Sequence, residues 1–121
     1  MATPMVTVTA EEITWRHRAA VRALTLLTEG KEHISADDLH AVGEPPHPNM
    51  WGTLFRDNPL RAHLEFAGAF PSHRPERKAG LIRAWRLRPG HQTQALETIT
   101  ALKQAIEDEY QLQRELRGEL F

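Results

Sequence analysis

Seven histidines, His17, His33, His40, His47, His63, His73 and His91, give the chain its metal-ligating potential. No two of them are spaced i, i+4, and none sits in a short loop with clustered carboxylates, so no converging donor set is legible and no metal is expected. Cysteine is absent, which removes thiolate ligands, disulfides and a cysteine nucleophile. There is no glycine-rich phosphate cradle, no nucleophile elbow and no paired-carboxylate motif. A nuclease assembled from His73, Glu76 and Lys78 finds no support in their spacing. The residues point to a protein that is not an enzyme and carries no cofactor.

What remains chemically pointed is basic. The net charge of −1 hides an uneven distribution: residues 71–91 hold six Lys or Arg against one Glu, and residues 97–121 hold six acids against three bases. Arg74, Arg77, Lys78, Arg83 and Arg86, with His73 beside them, suit the neutralisation of phosphates, which gives affinity without sequence discrimination. A charged loop kept for solubility is the plainer alternative. Upstream, Asn49, Thr53 and Arg56 could meet base edges, since Arg matches guanine and Asn matches adenine through paired hydrogen bonds. The competing view is a solvated helix face. Trp51 and Trp85 could stack on exposed bases as single-strand binders do, but each lies inside an apolar pattern, and burial is the better expectation. Trp15 flanks the first helix without an evident role.

These residues need elements to position them. Thr9 and Glu12 form a capping-box pattern, Ile13, Ala20, Val21, Leu24 and Leu27 recur at helical spacing, and Gly30 supplies a stop, which predicts a helix from about Ala10 to Glu29. Lys31 to Ile34 reads as a brief extended segment. Ser35 with Asp38 caps a short second helix through Ala36, Leu39, Ala41 and Val42, stopped at Gly43. Residues 43–49 contain three prolines and form a turn. Asn49 can cap a third helix from Met50 to about Asp57, ended by Pro59. At about 100° per residue its Met50, Trp51, Leu54 and Phe55 share one arc, and Asn49, Gly52, Thr53, Arg56 and Asp57 the other.

Strand periodicity follows. Leu64, Phe66, Gly68 and Phe70 alternate with other residues, as do Leu81, Arg83, Trp85 and Leu87, and the two runs should pair around a long basic tip at residues 71–80. Alternation places Arg83 and Trp85 on one face and Arg86 on the other. From about Thr93 to Arg117 the chain turns helical again, with Leu96, Ile99, Leu102, Ile106 and Tyr110 as its apolar stripe. The stripe fades beyond Tyr110, so it suits packing over two or three heptads but not a long coiled coil. It serves either a homodimer seam, the preferred reading, or a helix folded back on its own domain. Its acidic end could instead shield the basic hairpin or mimic DNA toward another protein.

The expected fold is mainly α with a small β-hairpin (α+β), a winged helix-turn-helix over residues 10–88 followed by a C-terminal, dimerising helix over 92–118. In that arrangement the third helix rests in the major groove while the hairpin reaches flanking phosphates. The runs Pro48-Asn49-Met50-Trp51-Gly52-Thr53-Leu54-Phe55-Arg56, Pro71-Ser72-His73-Arg74-Pro75 and Leu81-Ile82-Arg83-Ala84-Trp85-Arg86 are similar to small winged-helix proteins of actinobacterial phages and prophages. These typically show "PNAWG-LF" on the recognition helix, then "S-RP" and "V-VW" around the wing. The resemblance covers about residues 10 to 88. It departs at Asp57-Asn58-Pro59-Leu60-Arg61-Ala62-His63, where the family has a plainer helical continuation.

The resemblance implies a phage-type duplex DNA-binding protein, most simply a transcriptional regulator. Two alternatives stand beside it: an adaptor that captures a host or phage protein, and an accessory in DNA replication or packaging. The 40% hydrophobic and 26% charged composition fits a folded chain. No apolar run reaches the roughly 18 to 20 residues of a membrane span and Met1 to Thr9 lacks signal-peptide features, so the bacterial host cytosol is the expected location.

Overall fold

A computed structural model describes residues 9–72 and 80–118. Thr9 Oγ1 accepts the Glu12 N–H at 3.1 Å and opens α1 (Ala10–Thr28). The second half of the capping box does not form, because the Glu12 carboxylate turns to His47 Nε2 at 3.0 Å. The buried side of α1 carries Trp15, Ala19, Ala20, Ala23, Leu24 and Leu27, and Ile13 is exposed. The expected stripe was therefore rotated: Trp15 belongs to it and Ile13 does not.

The segment Lys31 to Ile34 does extend, and Ile34 exchanges both backbone hydrogen bonds with Trp85, at 2.8 and 2.7 Å. The expected second helix is a 3-10 helix, Ala36–Val42. Asp38 Oδ2 accepts the Ser35 N–H at 2.8 Å at its start, and Gly43, at φ +92°, ends it. Seven residues between a cap and a proline-rich turn leave little room for the longer α ladder, and 3-10 turns serve such connectors.

The third expected helix is shorter than its pattern. α2 (Met50–Leu54) is followed by a turn, and a separate helix α3 (Leu60–His63) occupies the stretch where the sequence departs from the phage pattern. Proline lacks the N–H that a continuing helix needs at residue 59, so the ladder breaks and restarts, with Arg61 N–H donating to Asp57 C=O at 3.0 Å. Asn49 does not cap α2 through its side chain; its carbonyl accepts the Gly52 N–H instead.

β1 (Leu64–Pro71) and β2 (Leu81–Leu87) pair antiparallel. The register shifts at Ala67, an extra residue on β1 that has no partner on β2. Gly68, at φ +124°, accepts a backbone conformation that a side chain resists. The bulge splits the apolar set that simple alternation put on one face. Phe66 faces Trp85, but Phe70 lies opposite Ile82, and Ala69, not Phe70, lies opposite Arg83.

α4 (Gln92–Leu116) runs back antiparallel along α1. Gln92 Nε2 donates to the Thr28 carbonyl at 3.1 Å at one end, and Tyr110 shares a groove with Ala10 and Thr14 at the other. Ala95, Ile99 and Leu102 join the same core as Leu24, Leu39, Leu54, Leu60 and Leu64. The architecture is thus mostly helical with a two-stranded antiparallel hairpin, and among the described residues no helix is long and apolar enough to cross a membrane.

Candidate nucleic-acid interface

Burial of Met50, Leu54 and Phe55 fixes the orientation of α2. Phe55 stacks on Trp85 with ring centroids 5.5 Å apart and planes 7° apart, which joins the end of that helix to β2. Arg56, the next residue, is exposed and lines a cleft of about 430 Å³ with Trp51, Gly52, Trp85 and Arg83. A second cleft, of about 450 Å³, shares Phe55, Arg56 and Trp85 and continues to Arg61, Phe66 and Arg88. Arg56 therefore borders both clefts.

No carboxylate among the described residues lines the first cleft, whereas Glu65 lines the second. Among the described residues Arg56, Arg61, Arg83 and Arg88 make no ion pair, whereas Arg86, which lines neither cleft, meets Glu65, its cross-strand partner, at 3.4 Å. Of the expected phosphate-contacting residues, Arg83 thus stands beside Arg56 and Arg86 is engaged elsewhere. His73, Arg74, Arg77 and Lys78 lie outside the described residues.

The expected base-reading trio is also divided. Arg56 and Asn49 are exposed, but Thr53 Oγ1 accepts a 2.7 Å hydrogen bond from Arg16 Nη2 of α1 and donates to the Met50 carbonyl at 3.3 Å. Arg16 also approaches Asp57 at 3.8 Å. Thr53 is an anchor between helices, half-buried, and not a projecting side chain. Arg16, Arg61, Arg88 and Phe66 were missed as members or supports of this surface. Arg61 and Arg88 sit just beyond pattern breakers, Pro59 and the end of β2, where periodicity assigns no face.

The tryptophans divide as well. Trp15 is buried, donates from Nε1 to the Gly43 carbonyl at 2.9 Å, and meets Trp51 edge-on at 4.9 Å. Trp51 and Trp85 pack partly against the core and both line the first cleft; Trp51 also packs against His40 at 4.3 Å and donates from Nε1 to Glu44 Oε2 at 3.4 Å, and Trp85 also lines the second cleft. The expected burial of both is half met.

The proposed dimer stripe is broken up by the fold. Ile99 and Leu102 are buried within the chain's own core, Ile106 is half-buried, and Leu96 and Tyr110 are exposed. Helical spacing alone left open which surface would cover the stripe, and α1, with its small Ala19, Ala20 and Ala23, admits α4 closely.

Away from the clefts, His63 and His91 approach each other at 3.4 Å between their Nδ1 atoms, and His63 Nε2 shares a 2.8 Å hydrogen bond with Thr98 Oγ1. Burial, and secondarily the neighbouring His91, hold the His63 pKa below the ordinary imidazole value; burial does the same at His17. Among the described residues no three His, Asp or Glu side chains gather where a metal ion could be held. Comparison with protein-family models, with curated proteins and with solved structures found no match to this chain.

Proposed function

We propose that the chain is a DNA-binding protein of winged-helix type that engages duplex DNA, with α2 and the turn behind it directed at the major groove and the hairpin at flanking phosphates. One observation carries the reading: Arg56, from the helical segment, and Arg83, from the hairpin, border one cleft, and among the described residues no carboxylate pairs with either. Two guanidiniums lining one cleft favour an anionic ligand such as a phosphate, which can accept charge-assisted hydrogen bonds from both. The element order supports the same reading, since the Ile34–Trp85 bridge sets a short strand against the hairpin ahead of the helical pair. A phage-type transcriptional regulator is the role the sequence resemblance suggests.

Binding of this kind is salt-dependent, with log K falling by about 0.9 per log unit of salt for each phosphate contacted. Fluorescence anisotropy with labelled genomic and random duplexes across a salt series gives that slope, and Arg83→Ala should reduce it by about 1. Absence of binding to both duplexes at low salt would end the proposal.

A second reading, an adaptor that captures a host or phage protein, is favoured by Tyr110, Leu112 and Leu116, three large apolar side chains exposed on the last turns of α4. It requires that Leu112→Asp abolish recovery of one stoichiometric partner while leaving DNA affinity unchanged.

A further inference from the structure

We infer that the two clefts flanking Trp85 hold unpaired bases, so that the preferred ligand of this surface is a single-stranded stretch of DNA; the inference rests on the nucleic-acid part of the reading above and replaces its paired ligand with an unpaired one. Phe66 is the first ground. It is 54% exposed on β1, edge-on to Trp85 at 5.7 Å, and nothing in the core requires a large aromatic there. Trp51 and Trp85 are the second, since each keeps surface in a cleft although each belongs to an apolar pattern.

The arrangement of charge matches a strand. Arg83 lines the first cleft, Arg56 both, and Arg61 with Arg88 the second, where the one carboxylate of the lining, Glu65, is paired with Arg86 at 3.4 Å. A backbone running past these arginines would bring successive bases over clefts of about 430 and 450 Å³, within the range of small-molecule pockets. Positively charged tracks interleaved with aromatic rings are how unpaired strands are held, because every base has a π-face to stack.

A fully paired duplex can meet the arginines but not fill the aromatic clefts. Its bases show only their edges in the grooves, and concave aromatic clefts would stay unfilled. The helix available for groove reading is also small: α2 has five residues, about 7.5 Å of rise, and its Thr53 is tied to Arg16.

The test compares three labelled ligands of equal length, about a dozen nucleotides: a base-bearing single strand, an abasic strand and a fully paired duplex. The base-bearing strand should bind the unaltered protein at least about tenfold more tightly than the abasic one, as expected when stacking contributes about fivefold to a hundredfold per base. It should also outcompete the duplex and quench tryptophan fluorescence. Phe66→Ala, at an exposed position, should lower affinity for the base-bearing strand about tenfold and leave the abasic strand unchanged. Equal binding of abasic and base-bearing strands, or an equal loss for all three ligands in Phe66→Ala, overturns the inference. Binding of the duplex alone overturns it while preserving the duplex reading, and binding of none of the three removes both.

Discussion

Phe55 and Trp85 lie face to face, 5.5 Å between centroids and 7° from parallel, and this stack sets the distance between the segment carrying Arg56 and the strand carrying Arg83. Phe55 is buried and Trp85 is partly so, which makes one ring a core residue and the other a wall shared by two clefts. Fold stability and the geometry of the surface are coupled through this single contact.

Phe55→Ala removes a buried aromatic and should cost about 3–5 kcal/mol of stability. Urea unfolding followed by circular dichroism measures it. A loss below about 1 kcal/mol would show that α2 is not held to β2 through this stack.

Arg16 and Thr53 provide an independent check on α2. Their hydrogen bond, 2.7 Å long and charge-assisted, is only partly shielded from solvent, so a coupling of about 1 kcal/mol is expected from a double-mutant cycle of Arg16→Ala and Thr53→Val. Additive effects of the two substitutions would mean that Thr53 is available to a ligand after all.

The parts of the fold read correctly from sequence are those written in local chemistry. The Thr9 cap, the glycine stops and the two alternating strand runs each involve residues close in the chain, so their physics appears in a short window. Trp15 and Arg16 were opaque because their partners, Gly43 and Thr53, lie 28 and 37 positions away. The bulge was opaque because alternation carries no mark of one extra residue; Gly68 was the only cue, and a glycine within a strand has several meanings. Trp51 and Trp85 misled in a different way, since an amphipathic ring fits an apolar pattern whether it is covered or left at the edge of a cleft.

Gly68→Ala tests the bulge. At φ +124° any side chain is strained, and its Cβ would also meet the Phe70 ring at 3.5 Å, an ordinary contact; the backbone is therefore the source of the cost, about 1–3 kcal/mol. Differential scanning calorimetry reads the loss as a lower Tm. An unchanged Tm would show that the hairpin shifts register without cost, which the opposition of Ala69 to Arg83 argues against.

α4 makes a prediction about assembly. Leu102→Ala should destabilise the chain by about 2–5 kcal/mol, as expected when a leucine is removed from a core. Sedimentation velocity should show the same mass for wild type and variant. A change of oligomeric state with little change in stability would return Leu102 to a seam between copies and displace the folded-back packing.

His63 gives the chain a pH dependence whose sign is fixed by its surroundings. Its pKa is lowered by burial and then by His91, so in the folded chain it stays neutral at pH values where the unfolded chain, near the ordinary 6.5, has begun to take up a proton. Over that interval the unfolded state binds more protons, and stability falls as pH drops below about 6.5. His17, lowered by burial, acts in the same direction. Thermal unfolding at about pH 7.5 and about pH 5.5 should show a smaller drop in Tm for His63→Gln, which can keep a hydrogen bond to Thr98 but carries no titrating group. An equal drop in the two proteins would mean that His63 takes its proton without penalty, and that its burial against α4 opens easily at acid pH.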